Sequence, residues 1–221
     1  MAGNLVSAWS ARFPCWIFAL AALALWLPAR AWPQTPPAPG PAATPAATLT
    51  PEQQKRMETW VKAMTPGAPH KWLAARAGKF DFAGKFWMEP GAPPQVAKGI
   101  ADRTLLLGGR VLQEKLTSTL MGMPLDGLGL AGYDNVTGRF WSTWNDSLST
   151  GQRVAGGTCD AAGAACSWRG TYSDPDSGKS KAVRLELRLE GADREVPTAF
   201  EAGADGKEAR TMELSYTRRK T

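Results

Sequence analysis

Residues 120–151 constrain the fold more than any other stretch, because they contain two strand patterns and the turns that bound them. Glycine and proline at 121–124 are typical of an opening turn, and apolar and small residues alternate over 125–133. A second turn pattern at 134–138 leads into an aromatic strand pattern at 140–146. This stretch therefore predicts an antiparallel β-hairpin, and nothing in it is a reactive group.

The same two-residue periodicity runs from His70 to the end of the chain. It is clearest over 183–190, where apolar and charged residues alternate as on a strand with one buried face. About ten strands joined by short turns result, without a helix long enough to connect parallel strands. The sequence therefore predicts an all-β fold, an antiparallel up-and-down barrel over 67–221 that leaves no bare sheet edge. A β-sandwich is the alternative, and it would need longer connections.

The N-terminal 31 residues have the pattern of a secretory signal peptide. Arg12 precedes an apolar run of 12 residues at 16–27, and Ala29-Arg30-Ala31 is a small-x-small cleavage site. A retained membrane anchor is the alternative, but roughly 17 to 25 apolar residues are needed to span a bilayer. We therefore expect an exported protein, periplasmic or extracellular, without a stable membrane anchor after cleavage.

Residues 32–50 are rich in proline and alanine and predict an extended, disordered linker. A short amphipathic helix is expected over 51–66, with Thr50 as N-cap, Pro51 at the first position and Gln53 closing a capping box. We expect its apolar stripe to pack over the sheet or the barrel mouth rather than to bind a partner. The stripe consists of Met57, Trp60, Val61 and Met64.

The charge pattern does not indicate a nucleic-acid partner. Cleavage after residue 31 removes Arg12 and Arg30 and no acidic residue, which lowers the formal net charge from +6 to +4. The basic residues are dispersed, and their longest contiguous run is the three residues at 218–220. A solvated surface accounts for this mild excess.

An ordered set of motifs resembles the bacterial domain-of-unknown-function 1579 family from about His70 to the C-terminus. The motifs are Phe86–Pro94, Leu107–Arg110, Met121–Pro124 with Gly132–Asp134, Ser142–Trp144 with Ser149–Gly151, and Asp205–Glu208 with Thr211–Glu213. The resemblance implies a secreted, lipocalin-like (calycin-like) barrel of unassigned biochemical role. It brings no catalytic residue to this chain. The cysteines at 159 and 166 depart from the family pattern.

Glu114 is the main candidate for a ligand-binding residue. Alternation places it on the same face as Leu112, Leu116 and Leu120, which is the inward face of the barrel. A carboxylate in that position must have a hydrogen-bonding or cationic partner, because an unpaired buried charge is too costly. We expect Trp144 and Asp146 to line the same space. A β-bulge that turns Glu114 outward is the alternative.

Cys159 and Cys166 are expected to form a disulfide. They are the only cysteines left after removal of Cys15, and they flank the turn of one predicted hairpin. Two buried thiols are the alternative.

Other candidate sites have simpler explanations. His70 is the only histidine, and without a second ligand or an orienting carboxylate nearby in sequence we expect a surface or capping role. The segment 174–178 resembles the start of a calcium loop, but Arg184 stands where the loop needs glutamate, so we expect a turn. No catalytic residue, metal site or cofactor is predicted.

Three classes of function are compatible with these features. An exported barrel that binds a small apolar ligand ranks first, an envelope interaction or structural module second, and an enzyme with its site in the barrel last. An open cavity would favour the first, a filled core the second, and two interacting ionisable groups in the cavity the third.

The first prediction concerns processing. We expect the mature protein to begin at or near Trp32, because the apolar run and the small-x-small site form a complete cleavage signal. Intact-mass analysis of the exported protein measures this. A mass that still includes residues 1–31 would contradict the prediction.

Overall fold

The computed structural model describes residues 49–89, 91–203 and 206–220. The predicted signal peptide and all but the last two residues of the predicted linker lie outside the described residues, as do two residues of the turn at 204–206. Within the described ranges, no helix is long and apolar enough to cross a membrane.

Ten antiparallel strands form one closed barrel, as the periodicity predicted. Each strand pairs with its neighbours in sequence, and the last strand pairs with the first, which removes both sheet edges. The strands are β1 (Gly78–Phe86), β2 (Gln95–Leu106), β3 (Val111–Leu120), β4 (Met123–Asp134), β5 (Arg139–Asp146), β6 (Arg153–Cys159), β7 (Ala165–Asp174), β8 (Lys179–Leu189), β9 (Arg194–Ala202) and β10 (Glu208–Arg218).

The hairpin predicted over residues 120–151 is formed by β4 and β5, which pair from Gly127 opposite Asp146 to Asp134 opposite Arg139. The two-residue turn before β4 is Met121-Gly122, and both residues have positive φ, as in the turns that match the twist of a hairpin. Short turns of this kind allow a meander and therefore a barrel in sequence order.

Helix α1 (Pro51–Met64) has the predicted capping box, since the Thr50 side chain accepts from the Gln53 N–H and the Gln53 side chain accepts from the Thr50 N–H.

The predicted packing of the apolar stripe of α1 is wrong. All four stripe residues are exposed, Trp60 to 62%. Among the described residues, the hydrogen bonds from the barrel reach α1 at its C-terminal end: Asn135 Nδ2 donates to the carbonyls of residues 62, 63 and 65, and Arg110 donates to that of Met64.

A second helix, α2 (Ala68–Ala74), lies across one end of the barrel against β3 and β4. This helix was not predicted, and the strand periodicity expected from His70 is wrong over α2. Seven residues with Pro69 near the start are too few for a helical stripe, so pattern alone could not reveal α2. His70 has the expected capping role, because its Nδ1 accepts from the N–H of Gly67 before the helix.

The buried side chains form two clusters. One lies among β1, β2, β3, β4 and β10, and its members are Phe80, Phe82, Ala97, Ala101, Leu116, Leu125 and Tyr216. The other lies under α2, and its members are Leu73, Leu112, Phe140, Cys166 and Trp168. Leu73 is 1% exposed, so α2 supplies part of the core and closes this end of the barrel.

The predicted disulfide joins Cys159 and Cys166, which are direct partners across β6 and β7. It secures the turn at 160–164. The indole Nε1 of Trp72 in α2 donates to the carbonyl of Gly163 in this turn at 2.9 Å. The disulfide thus stabilises the turn against which the closing helix docks.

The second prediction concerns this cross-link. Replacing both cysteines, Cys159→Ala with Cys166→Ala, should lower the free energy of unfolding by about 2.5 kcal/mol, because the unfolded chain regains the entropy of the closed loop. Urea denaturation of the oxidised protein and the double variant measures the difference. Equal midpoints for the two would contradict the prediction, and the reduced wild-type protein is the control that separates the cross-link from side-chain packing.

Candidate ligand site inside the barrel

A cavity of about 440 Å³ occupies the barrel interior. Its walls are mostly aliphatic and aromatic, from Trp72 and Leu73 of α2 at one end to Leu148 and Ser149 of the loop after β5 at the other. Further apolar lining residues include Phe82, Phe86, Leu112, Leu116, Leu120, Leu125, Ala131, Trp144, Ala155, Trp168, Leu185, Leu187, Met212 and Leu214. The space is therefore suited to an apolar molecule.

Glu114 faces this cavity, and its predicted position and need for a partner are confirmed. Arg103 Nε donates to Glu114 Oε2, and the Tyr216 hydroxyl donates to Oε1 at 2.9 Å. The pairing of β3 with β2 and with β4 continues without a shift through residue 114, so the bulge that would have turned Glu114 outward is absent from this strand.

Arg103 is the centre of this buried network. Its Nη1 donates to Glu195 Oε2 at 2.7 Å, and its guanidinium lies 4.5 Å from the ring centre of Phe80 and 4.4 Å from that of Tyr216. Burial alone would lower the pKa of Arg103, but the carboxylates of Glu114 and Glu195 raise it above the ordinary value. Arg103 therefore remains a cation that neutralises both acids.

Tyr216 completes the network from β10. Burial first, and then the charge of Glu114, raise the pKa of the Tyr216 phenol well above its ordinary value. The hydroxyl consequently keeps its proton and serves as a hydrogen-bond donor. Sequence reasoning missed Arg103, Glu195 and Tyr216. The inward residues before Arg103 on β2 are Ala97, Gly99 and Ala101, which are too small to produce an apolar alternation.

Trp144 and Asp146 also line the cavity and contact each other. Trp144 Nε1 donates to Asp146 Oδ2 at 2.9 Å, and the other carboxylate oxygen accepts from the N–H of Leu148 at 3.0 Å. The indole lies against β4, where a Cβ added to Gly127 would come within 2.4 Å of it. Glycine at this position is therefore what lets the indole lie flat on the wall.

Strand register aligns the polar groups in one row. Arg103 lies opposite Glu114, Glu114 opposite Gly129, Gly129 opposite Trp144, and Trp144 opposite Arg153. The row thus crosses five consecutive strands, from β2 to β6. The structure brings Glu114 and Trp144 together across Gly129, and it adds Arg153, which the sequence analysis did not single out.

Comparisons with known proteins agree with this architecture. The family model described as "Protein of unknown function (DUF1579)" matches residues 65–218, whereas no curated protein matches the chain. The crystal structure of Rv2717c from M. tuberculosis is similar, with a TM-score of 0.53 and 13% identity over 71% of this chain and 100% of that chain. At this identity the likeness shows the fold alone.

Two further solved structures have lower scores. The S-type phycobiliprotein lyase CPES from Guillardia theta has a TM-score of 0.49 and 10% identity, over 73% of this chain and 97% of that chain. The barrel EF1p2_mFAP2b bound to DFHBI has a TM-score of 0.38 and 11% identity, over 68% of this chain and 98% of that chain.

The third prediction concerns Glu114. The variant Glu114→Gln should retain the barrel but lose about 2 to 4 kcal/mol of unfolding free energy, because it leaves Arg103 with one buried counter-charge instead of two. Urea denaturation followed by circular dichroism measures the loss.

The matched control is Glu213→Gln, which breaks surface ion pairs with Lys85 and Arg210. Exposed pairs contribute less than about 1 kcal/mol, so this variant should be nearly neutral. Equal losses of unfolding free energy in the two variants would show that the buried network stabilises the barrel no more than an exposed ion pair does.

Proposed function

We propose, for a chain that belongs to the DUF1579 family of proteins of unknown function, that the barrel binds a small, largely apolar molecule in its interior. The family resemblance predicted from the motifs is confirmed by the match. The observation that carries the proposal is the cavity, whose volume of about 440 Å³ falls within the range of about 300 to 1,000 Å³ that ligand pockets have.

The cavity differs from an ordinary packing defect. Protein interiors are close-packed, and the few voids in a domain are rarely much larger than a water molecule. Here the two core clusters leave a continuous space, and polar groups converge on it at a few points. Glu114, Trp144 and Asp146 are the proposed ligand-binding residues, because apolar walls with a few fixed polar groups are what small-molecule sites share.

The ionisable groups in the cavity favour binding over catalysis. Arg103, Glu114 and Glu195 satisfy one another, and the Tyr216 hydroxyl is committed to Glu114. The pKa values of Arg103 and Tyr216 are raised, which moves both groups away from proton exchange at neutral pH. The network therefore has the properties of a structural cross-brace within a binding site.

The proposed compartment is outside the cytoplasm. The apolar run at 16–27 with its small-x-small site supports export. A disulfide between Cys159 and Cys166 fits an oxidising compartment, where such bonds form and persist.

The fourth prediction tests apolar binding with N-phenyl-1-naphthylamine, an uncharged dye that fluoresces in apolar surroundings. We expect saturable binding of one dye per barrel. The variant Ala131→Phe adds a ring to the cavity wall and should weaken binding at least about tenfold, a loss of 1.4 kcal/mol or more.

The matched control, Ala182→Phe, places the same ring at an exposed position of β8 and should bind like the wild-type protein. Circular dichroism of each variant shows whether the barrel is intact. Absence of dye binding to the wild-type protein, or equal binding to a folded Ala131→Phe variant, would contradict the proposed function.

A further inference from the structure

Three arginines line the cavity, and two of them have carboxylates of the protein as counter-ions. Arg103 binds two carboxylates, as described above. Arg76, just after α2, donates from Nη1 to the carbonyl of Trp72 and lies 3.2 Å over the Trp72 ring. Its Nε lies 3.9 Å from Glu195 and makes no hydrogen bond to the described residues. Within the described ranges, Arg153 makes neither a hydrogen bond nor a salt bridge. It is therefore the one cavity arginine in that part of the chain that has no carboxylate partner.

The two carboxylates whose charges act on Arg153, those of Asp146 and Glu201, have other partners. Asp146 accepts from the Trp144 indole and from the Leu148 N–H. Glu201 accepts from Tyr172 at 2.9 Å and from Thr211 at 3.2 Å, and it pairs with Lys181 at 3.0 Å. Neither carboxylate is within salt-bridge distance of Arg153, although the charges of both act on it.

The environment of Arg153 makes an external counter-ion favourable. Burial is the main influence on the pKa of Arg153 and lowers it, and the charge of Asp146 opposes this effect. A guanidinium is nevertheless charged in proteins, and it carries five N–H donors that must be hydrated or paired. A planar carboxylate satisfies such a group with two parallel, charge-assisted hydrogen bonds.

The position of Arg153 defines how such a ligand would lie. Arg153 begins β6, and Cys159 ends it beside the turn that holds α2. Six residues of strand span roughly 20 Å at about 3.3 Å per residue. The wall toward α2 is apolar and includes Trp168, Leu185 and Leu187. An anionic group at Arg153 would thus leave an apolar tail pointing along the barrel toward α2.

We propose that the ligand class is a long-chain carboxylate whose head group pairs with Arg153 and whose hydrocarbon tail fills the cavity toward Leu73. This inference rests on the proposed function and specifies the ligand chemistry for the same site. One cation without a carboxylate partner in the described part of the chain, opposite an apolar wall, matches one negative charge and an unbranched tail. Arg103 and Arg76 take no part in head-group binding, because carboxylates of the protein already neutralise their charges.

The fifth prediction compares dodecanoate with 1-dodecanol, which share a chain length and differ in head group, as competitors of bound N-phenyl-1-naphthylamine at pH 8. The variant Arg153→Gln should weaken dodecanoate binding at least about tenfold, since charge-assisted hydrogen bonds contribute more than 1.4 kcal/mol. Binding of 1-dodecanol should change less than about twofold. Arg153→Lys, which keeps the charge, should restore part of the loss.

Arg169→Gln is the matched control, because Arg169 is exposed on β7 and faces away from the cavity. It should leave both affinities unchanged. If Arg153→Gln does not fold, the wild-type protein still decides the question, since it should bind dodecanoate more tightly than dodecyltrimethylammonium, the cation of equal chain length.

The outcomes separate the two proposals. If both competitors bind the wild-type protein and Arg153→Gln weakens them equally or not at all, the carboxylate inference fails and apolar binding stands. The same conclusion applies if the cation displaces the dye as well as the anion does. If neither competitor nor the dye binds the wild-type protein, the proposed function itself fails.

Discussion

The structure depends on Arg103 and the two carboxylates that it holds. Glu114 follows Arg103 by 11 residues and Glu195 follows it by 92 residues. One guanidinium on β2 therefore joins β3 to β9. Tyr216 extends the network to β10, the strand that closes the barrel against β1. Removing one partner from charges this well buried is costly, so the complete network stabilises the closed barrel.

The Arg103 network forms part of the cavity wall, since Arg103, Glu114 and Tyr216 line the cavity. Members of the cluster around Phe80 line it as well, and residues of β5 to β8 form another part of the wall. One end is held firmly: α2 covers it, the disulfide secures the turn that accepts from Trp72, and Arg218 donates to the carbonyls of Ala75 and Ala77. The cavity is therefore closed at the α2 end, and Arg153 lies toward the opposite end.

Glycine on β4 links the brace to the cavity. Gly129 pairs with Glu114 on one side and with Trp144 on the other, and the Trp144 indole packs against Gly127 and Gly129. The indole therefore contacts the β4 backbone directly, without an intervening side chain. The indole then binds Asp146, and Asp146 is thereby withdrawn from Arg153. These local contacts explain why Asp146 and Arg153, both half-buried and on neighbouring strands, do not pair.

The sequence by itself determined the strands, their turns, the barrel, the capping box of α1 and the inward position of Glu114. These properties follow from local periodicity and turn chemistry, and the disulfide followed from two cysteines that flank one turn. Only the tertiary structure decided that α2 closes the barrel, that the stripe of α1 stays exposed, and that Arg103 rather than Arg153 neutralises Glu114. The physical reason is that each of these depends on contacts between segments far apart in the chain. Alternation fixes which face of a strand a residue occupies, whereas the shear and closure of the barrel fix what it meets there.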